Sequence, residues 1–461
     1  MTSNKDLVLN VKGYLHELGY EVINDSYYDY INKWYQWYKS YVKEFHKYLM
    51  FNGYQYVDRK RETLSMPKRA SEDWASLLFN DNVSITIDNK YQTVLDNLFD
   101  TNKFDHKFSE LLELTFALGT GASVVYKDNE KTKIDYINAL MIFPIEVDGN
   151  EIVSCAFASC RSDKYYINIH KKENDYYKII NKVFHKDGNR YIEDEVEAID
   201  EVISPVKMFQ IYKPNITNNV NIFSPFGLSC YGNAISQNKA CDIDFDSFVN
   251  EVNLGKKRIF MKTDLLTYKM IVDDKGNEQE VPLFDKDQTE FYALPNEDNS
   301  SEMIKEIDMN LRITDHIDAI QTSLNLFSDA CGLGPDRFTF KDGKVYTNET
   351  QVISTNSKLY KNIKKHEKLL KYSIYELVRA LIYSATNNIY KGDITIDFDD
   401  SIIEDTAETK RQAMLELNAG IIDKIQYMID VYKMTEDQAL EFIKQMEKRS
   451  PKIEEEPPIE E

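Results

Sequence analysis

Apolar residues recur at three- and four-residue spacing over residues 225–254, which is the pattern of a helix with one buried face. Ser224 can cap this helix, Pro225 suits its first turn, and Gly255 is expected to end it in the left-handed conformation. About 30 residues at ~1.5 Å each make a rod of roughly 45 Å, longer than most globular helices. The pattern therefore predicts a strut, which indicates architecture more than chemistry.

Helical spacing also appears on both sides of this segment. An aromatic stripe over residues 26–50 predicts a helix packed on a core or on a neighbouring subunit, in preference to a base-stacking surface. Its members are Tyr27, Tyr30, Trp34, Tyr38, Tyr41, Phe45 and Tyr48. Further helices are predicted over residues 67–79, 104–118, 309–331, 349–388, 405–420 and 435–450.

The period changes to two between residues 123 and 212, which predicts an antiparallel sheet. Its strands are expected at 123–126, 133–137, 152–158, 165–170 and 176–184. A second β-rich insert, from 256 to about 306, contains a turn at 274–277 and lies between two predicted helices. Short strands are also predicted at 83–87 and 393–398. Helices and sheets in separate runs indicate the α+β class.

Composition narrows the possible functions. At 461 residues the chain is long enough for two to four domains. Its net charge of −21 argues against a tight, sequence-reading nucleic-acid binder, because such proteins carry a basic footprint. Five cysteines without a CxxC pair predict a reduced, cytosolic protein. The polar N-terminus predicts no signal peptide, and no apolar run is long enough to span a bilayer.

Several segments resemble the motifs of enzymes or metal sites, but each lacks a residue or a spacing that the motif requires. The glycines of 227–232 are wrongly spaced for a nucleophile elbow, and 332–337 lacks the third glycine of a dinucleotide loop. His16 and His366 each lack the second histidine of a zinc helix. An acidic cluster is better explained by a strand end and a helix cap than by a metal; it comprises Asp397, Asp399, Asp400, Glu404 and Asp405. We therefore expect no catalytic residue, no metal and no cofactor.

Two basic features carry a functional alternative. Lys256, Lys257 and Arg258 follow the strut directly, where positive charge also favours a helix C-terminus. A row of lysines on the helix 349–388 is either a solvated face or a face near phosphates or acidic neighbours. The row comprises Lys358, Lys361, Lys364, Lys365, Lys368 and Lys371.

Four segments, in this order, resemble those of tailed-bacteriophage portal proteins of the SPP1 type. They are PKRASEDWASLLFNDNVSI at 67–85, the whole of 224–260, TNETQVISTNSKLYKNIKKHEKLL at 347–370, and IDFDDSIIEDTAETKRQAMLELNAGII at 396–422. The resemblance implies a portal fold with a wing, a helical stem, a clip, a tunnel loop and a crown. The implied bounds are a wing at 1–222, stem helices at 223–254 and 309–331, a clip at 255–308, a tunnel loop at 332–348, a long helix and return strand of the wing at 349–402, a crown at 403–450, and a disordered acidic tail at 451–461.

The resemblance also implies a function. Portal proteins form a ring, usually of twelve subunits, at the unique capsid vertex of the virion, and are assembled in the cytoplasm of the host bacterium. The ring is the channel for genome packaging and ejection and nucleates capsid assembly. The implied partners are the large subunit of the terminase motor, the head–tail adaptor, the major capsid and scaffolding proteins, and double-stranded DNA bound without sequence specificity. No membrane is implied.

Residue roles follow from the resemblance as hypotheses. Arg337, Lys341 and Lys344 in the tunnel loop are candidates to touch DNA in the channel. The candidates for the terminase-facing clip are Lys256, Lys257 and Arg258. The acidic run Asp242, Asp244 and Asp246 would face the channel repulsively or pair with a neighbouring subunit. Two alternatives stay open: a metal-dependent enzyme acting on nucleic acid, with Asp397–Asp405 holding magnesium, and a capsid accessory oligomer without a channel.

Overall fold

A computed structural model provides the structure of the protein. It describes residues 4–23, 26–51, 55–128, 130–188, 190–194, 201–255, 258–262, 268–272, 278–282, 291–294, 304–307, 310–340, 349–398, 406–432, 439–440 and 442–444. The chain divides into two compact units. The first comprises residues 1–80 and 85–395, and the second comprises residues 81–84 and 396–461.

Helices make up much of the first unit, and their bounds follow the apolar spacing closely in several cases. They are α1 (Asn4–Glu17), α2 (Tyr27–Tyr38), α3 (Lys43–His46), α4 (Met66–Leu78), α5 (Asn89–Asn102), α6 (Phe104–Leu118), α7 (Ile235–Leu254), α8 (Ile313–Ala330) and α9 (Glu349–Thr386). The predicted helix at 104–118 is confirmed as α6, and Gly119 ends it with a φ of +83°. In the second unit lie α10 (Thr406–Asn418) and α11 (Lys424–Tyr432).

Strands of the described residues form separate small sheets. In chain order they are β1 (Lys47–Phe51), β2 (Tyr56–Lys60), β3 (Ser84–Thr86), β4 (Gly121–Asp128), β5 (Lys131–Asn138), β6 (Ile142–Asp148), β7 (Glu151–Arg161), β8 (Lys164–Glu173), β9 (Tyr176–Asp187), β10 (Arg190–Glu193), β11 (Val202–Ser204), β12 (Phe209–Tyr212), β13 (Arg258–Lys262), β14 (Tyr268–Val272), β15 (Glu278–Pro282), β16 (Phe291–Leu294), β17 (Ile304–Ile307) and β18 (Thr395–Asp397).

The antiparallel sheet predicted between residues 123 and 212 is confirmed, but it is divided in two. Strands β6 to β10 pair consecutively, with β11 added to β9, while β4 lies between β5 and β12. The long hairpin of β8 and β9 runs from Lys164 opposite His185 to Glu173 opposite Tyr176. The combination of these sheets with the helices confirms a mixed α and β protein.

The long helix before the insert is shorter than predicted. The structure begins α7 at Ile235, so the prediction of a start near Ser224 is wrong. Tertiary contacts override the local helical pattern: Gly227 donates its N–H to Thr120 Oγ1 over 2.9 Å, and Cys230 donates its N–H to the Phe116 carbonyl over 2.9 Å. These bonds hold the segment against α6 in an irregular conformation.

Gly255 follows α7 with a φ of −76°, so the expectation of a left-handed stop is also wrong. A Cβ on this glycine would lie 2.2 Å from Cδ2 of Leu311, a residue just before α8. The glycine therefore permits a close approach of two chain segments, which is a packing role that local periodicity does not reveal.

The aromatic stripe of residues 26–50 does not form one helix. It is split between α2, the short α3 and strand β1, so Tyr48 lies in a strand. The stripe does reach a core, since Tyr27 and Trp34 are buried and Tyr27 stacks on Phe226 with ring centroids 5.4 Å apart. The predicted packing role is therefore confirmed for the α2 part.

Several helices were predicted from the apolar spacing, and others were not. The predicted helices at 67–79, 309–331 and 349–388 are confirmed as α4, α8 and α9, while α1, α5 and α11 were not predicted. The turn at 274–277 and the predicted helix start at Thr435 lie outside the described residues, as does the tail at 451–461.

Candidate functional site

Helices α7 and α8 form an antiparallel pair that is joined at two levels. Ser323 on α8 donates a hydrogen bond from Oγ to Oδ2 of Asp244 on α7 over 2.5 Å. Nearer the C-terminus of α7, the carboxylate of Glu251 accepts hydrogen bonds from the backbone N–H and Nε of Arg312, over 2.9 and 3.0 Å. Two such anchors fix the register of the two helices.

Glu251 is the charge centre of the second anchor. The hydrogen bonds from Arg312 lower the pKa of its carboxyl well below its usual range, and His316, whose Nε2 lies 3.0 Å from Oε2, adds to the effect. The carboxylate is therefore ionised at neutral pH, and a cation faces it from the start of α8.

The opposite face of α7 contacts a two-stranded ribbon, which we define as β1 and β2. Tyr48 Oη donates to Oδ2 of Asp246 over 2.9 Å, and the backbone N–H of Glu62 donates to its Oδ1 over 3.1 Å. Arg59 donates to Asn250 Oδ1 over 3.3 Å. These contacts attach the ribbon along two turns of α7.

Asp242 forms the buried base of this attachment. Its Oδ1 accepts the backbone N–H of Leu64 over 3.0 Å, and its Oδ2 lies 3.4 Å from Nε2 of the buried His46. The N–H of Val42 lies 2.9 Å from Nδ1 of His46 and the Val42 carbonyl oxygen lies 3.2 Å from the same nitrogen, so Val42 holds one side of the ring while Nε2 faces Asp242.

All three carboxylates of the acidic run on α7 are therefore engaged within the chain. Asp242 and Asp246 are four residues apart and share the face toward the ribbon, as the helical repeat requires. Asp244 turns about 200° away, because two residues rotate a helix by that amount, and meets α8. The sequence suggested two other roles for this run, a channel surface or a contact with a neighbouring subunit, and both stay predictions.

The chain that follows α8 is fastened to α4 and α9. Trp74 on α4 donates its indole N–H to the Cys331 carbonyl over 3.1 Å, and Asn362 on α9 donates its side-chain amide to the Gly332 carbonyl over 2.7 Å. Two residues later, the Gly334 carbonyl accepts a hydrogen bond from Ser328 Oγ over 2.5 Å. The start of the predicted loop at 332–348 is thus anchored on three sides.

Arg337 is the one DNA-channel candidate among the described residues. Its guanidinium forms a two-point contact with the Asp73 carboxylate, with Nε and one terminal nitrogen 2.6 and 2.5 Å from the two oxygens. Lys341 and Lys344 lie outside the described residues. Arg337 is therefore held at the surface by α4, and contact with a phosphate would compete with Asp73.

The insert between α7 and α8 is built of strands, as predicted. Strand β13 pairs parallel to β16 and antiparallel to β17, and β14 forms a hairpin with β15. Of the basic triplet after α7, Arg258 opens β13, while Lys256 and Lys257 lie outside the described residues.

The lysine row on α9 is mixed in character. Lys358 pairs with Asp329 on α8, and Lys364 pairs with Glu367 over 3.0 Å. Lys361, Lys365 and Lys368 are exposed. Part of the row therefore contacts acidic groups of the same chain, and part is a solvated face.

Within the described ranges, no group of three His, Cys, Asp or Glu side chains is placed to hold a metal ion, and no helix is long and apolar enough to cross a membrane. Of the acidic cluster at the end of β18, Asp397 is described and Asp399–Asp405 are not.

His46, Trp74 and Glu251 were missed by the sequence analysis. His46 and Trp74 sit in aromatic-rich helical segments, where the apolar pattern conceals a polar contact to a distant segment. Glu251 had a weak signal, because it follows Asp244 by seven residues and therefore lies on the same helical face.

Comparison with known protein families gives a match over nearly the whole chain. A family model described as "Phage portal protein, SPP1 Gp6-like" matches residues 20–454. No curated protein matches the chain. Among solved structures, a chain from the "Neck of native GTA particle computed with C12 symmetry" is 10% identical with a TM-score of 0.40, covering 79% of this chain and 89% of that chain. The structural likeness is too weak to support an argument, so the family match alone carries the assignment.

Proposed function

Because the chain belongs to the SPP1 Gp6-like family of phage portal proteins, we propose that it forms a ring around a DNA channel at one vertex of the capsid. The observation that carries this proposal is the family match over residues 20–454. The antiparallel α7–α8 pair with a β insert between its helices supports it, since such a pair suits a stem with a clip at its end.

We assign the parts of a portal protein to the segments expected from the sequence. We assign the wing to 1–222, the stem to 223–254 and 309–331, the clip to 255–308, the tunnel loop to 332–348, the wing's long helix and return strand to 349–402, and the crown to 403–450. The clip would dock the terminase motor during packaging and the head–tail adaptor afterwards. The ring, with twelve subunits, would seed capsid assembly with the major capsid and scaffolding proteins.

The chemistry of the chain suits a passive conduit. A chain with net charge −21 repels the phosphate backbone overall, so DNA would pass without being held tightly. We propose that a terminase motor supplies the energy of translocation and that the portal itself is not an enzyme. Arg337, Lys341 and Lys344 would then make transient phosphate contacts.

Electron microscopy of the purified protein tests the ring. Rotationally symmetric particles with an axial hole wide enough for duplex DNA are expected. An assembly without such a hole would contradict the proposal and favour a capsid accessory role. Metal-dependent nuclease activity that is lost in the Asp399→Asn, Asp400→Asn variant would favour an enzyme instead.

The residue assignments have separate tests. Replacing Arg337, Lys341 and Lys344 together by glutamine should impair packaging or DNA retention, and unchanged packaging and retention would contradict the channel assignment. Replacing Lys256, Lys257 and Arg258 by glutamine should weaken binding to the terminase large subunit and leave ring formation intact. Unchanged terminase binding would contradict the clip assignment.

A further inference from the structure

A cavity of about 140 Å³ lies where the segment after α8 meets α4 and α9. The space is roughly ten times that needed by one water molecule, so it can hold a small molecule or ion of several atoms. Its buried lining comprises Trp74, Leu228, Ser229, Cys230, Cys331 and His366. The more exposed lining residues Asn233, Ala330, Asn362 and Lys365 form what we call the rim.

The charge of this cavity differs from that of the chain as a whole. Among the described residues no carboxylate lines it, although the chain carries 77 acidic residues and a net charge of −21. Lys365 brings a positive charge to the rim, and its backbone is fixed because its carbonyl accepts a hydrogen bond from the Asn215 side chain over 2.6 Å. The cavity therefore favours a negatively charged occupant.

The polar groups of the rim favour donors over acceptors. The carbonyls of Cys331 and Gly332 each already accept a hydrogen bond from a side chain. Asn233 Oδ1 accepts a hydrogen bond from Asn219 over 3.0 Å, so the N–H groups of the Asn233 amide remain as donors.

His366 adds a buried donor to the lining. The backbone N–H of Asn215 donates to its Nδ1 over 2.9 Å. Burial, together with the nearby charge of Lys365, lowers the pKa of His366 to about 3, so the ring is neutral and its single proton is on Nε2. The influence of Lys365 on this pKa also shows that the ammonium group and the imidazole act on the same space.

Ser229 adds a second buried donor. Its Oγ has no hydrogen-bond partner among the described residues. The neighbouring Tyr231 hydroxyl donates its own proton to the Trp34 carbonyl over 3.0 Å. Buried hydroxyl groups are nearly always hydrogen-bonded in folded proteins, so an unpaired one in the wall of a cavity indicates a bound molecule.

We infer that this cavity binds a small oxyanion, a phosphate or carboxylate group, through Lys365, Ser229 and His366. The ammonium group would balance the charge, while the hydroxyl and the imidazole N–H would donate to the oxygens of the anion. A cation is disfavoured, since no carboxylate among the described residues lines the cavity. The site lies within one chain and does not depend on the ring of the proposed function.

Equilibrium dialysis of the protein with radiolabelled inorganic phosphate tests the inference. The wild type should bind one phosphate per chain at saturation. Lys365→Gln should lower the affinity at least about tenfold, because a charge-assisted hydrogen bond is lost. Lys368→Gln is the matched control: Lys368 is an exposed lysine of the same helix, three residues further on, and it does not line the cavity. This variant should bind phosphate as the wild type does.

A second variant acts on the rim from α8. Ala330→Glu places a carboxylate at an exposed rim position, so it should repel the anion and also lower the affinity at least about tenfold. Leu326→Glu adds the same charge at an exposed position one turn earlier, outside the cavity lining, and should bind phosphate normally. Circular dichroism of all four variants should match that of the wild type.

Competition identifies the source of the oxyanion. Acetate that displaces the labelled phosphate at lower concentration than unlabelled phosphate does would assign the site to a carboxylate group, and weaker displacement by acetate would assign it to phosphate. Equal affinity in both rim variants and both controls would indicate an adventitious ion only and overturn the inference. Absence of binding at millimolar phosphate would overturn it as well. A wild-type protein that forms no ring would refute the portal proposal without affecting this result.

Discussion

His46 and Asp242 lie buried against each other, with Nε2 of the imidazole 3.4 Å from Oδ2 of the carboxylate. They connect α3 at the root of the ribbon to the first half of α7, across nearly 200 residues of sequence. The Leu64 N–H, which donates to the other oxygen of Asp242, adds the chain that leaves the ribbon. One carboxylate therefore joins both ends of the ribbon to α7.

Removal of the Asp242 carboxylate should lower the free energy of unfolding. Asp242→Ala leaves the part-buried Leu64 N–H and the buried His46 imidazole without an acceptor, so we expect a loss of about 1–3 kcal/mol in the free energy of unfolding. Urea denaturation followed by the fluorescence of the three tryptophans measures it. The exposed Asp148→Ala is the control and should change stability by less than about 0.5 kcal/mol. Equal effects of the two substitutions would contradict the assigned role of Asp242.

Two glycines with the same backbone angle should differ in their tolerance of alanine. Gly19 and Gly119 both have a φ of +83°, but a Cβ on Gly119 would lie 2.4 Å from the Gly227 carbonyl oxygen, whereas a Cβ on Gly19 meets nothing within 4 Å. Gly19→Ala should therefore lose only the cost of the left-handed conformation, about 1–2 kcal/mol. Gly119→Ala should lose clearly more, since the backbone at Gly227 must move.

Thermal unfolding and soluble yield compare the two variants. A Gly119→Ala protein as stable as the Gly19→Ala protein would show that the approach of Gly119 and Gly227 does not constrain the fold.

Stability should fall in mild acid because of two buried histidines. Burial lowers the pKa of His170 and of His366 to about 3, while an unfolded histidine has a pKa of about 6.5. Between these values the unfolded state binds protons that the native state excludes. The free energy of unfolding should therefore drop as pH falls from about 6.5 toward 3, by up to about 1.4 kcal/mol per pH unit for each histidine, with no such change above about pH 7.

His366→Gln separates one histidine from the total. The variant loses a titrating group, so its urea midpoint should depend less steeply on pH below about 6.5 than that of the wild type. An unchanged slope would show that His366 does not contribute.

Thiol labelling should distinguish the cysteines. Cys160 is partly exposed, whereas Cys155, Cys230, Cys241 and Cys331 are buried. Burial also raises the pKa of the Cys155, Cys230 and Cys241 thiols, which reduces the thiolate needed for reaction. The native protein should therefore show one fast-reacting thiol with Ellman's reagent, and Cys160→Ser should remove it. A fast phase that survives this substitution would place another thiol at the surface.

Apolar periodicity correctly predicted those helices and strands in which the local spacing of apolar residues decides which face is buried. Helix α6 has the predicted bounds because its apolar face is complete and Gly119 ends it in the left-handed conformation. Strands β4, β5, β7, β8 and β9 contain the ranges predicted from the sequence, whereas β6 was not predicted. The predicted start of α7 is wrong, because Thr120 Oγ1 and the Phe116 carbonyl accept hydrogen bonds from the backbone N–H groups of Gly227 and Cys230. These bonds compete with the helical hydrogen bonds of the same segment.

Contacts between distant segments could not be predicted from one sequence. The acidic run of α7 reads as an exposed charged face, and only the fold brings His46, Tyr48 and Ser323 to it. The candidates for the channel and the clip came from the resemblance to portal proteins, and they remain predictions. Arg337 shows why: its contact with Asp73 joins residues that the local pattern does not relate.

Helix α9 spans 38 residues, or about 57 Å at 1.5 Å per residue. Its C-terminal half is clamped, because Ile374, Leu377, Val378, Leu381 and Ile382 are wholly buried. Nearer its N-terminus, Lys358 and Asn362 of the same helix contact Asp329 and Gly332, at the end of α8 and just after it. The helix is therefore a single rod that spaces the core around Val378 from the segment after α8 by about 24 Å at Asn362.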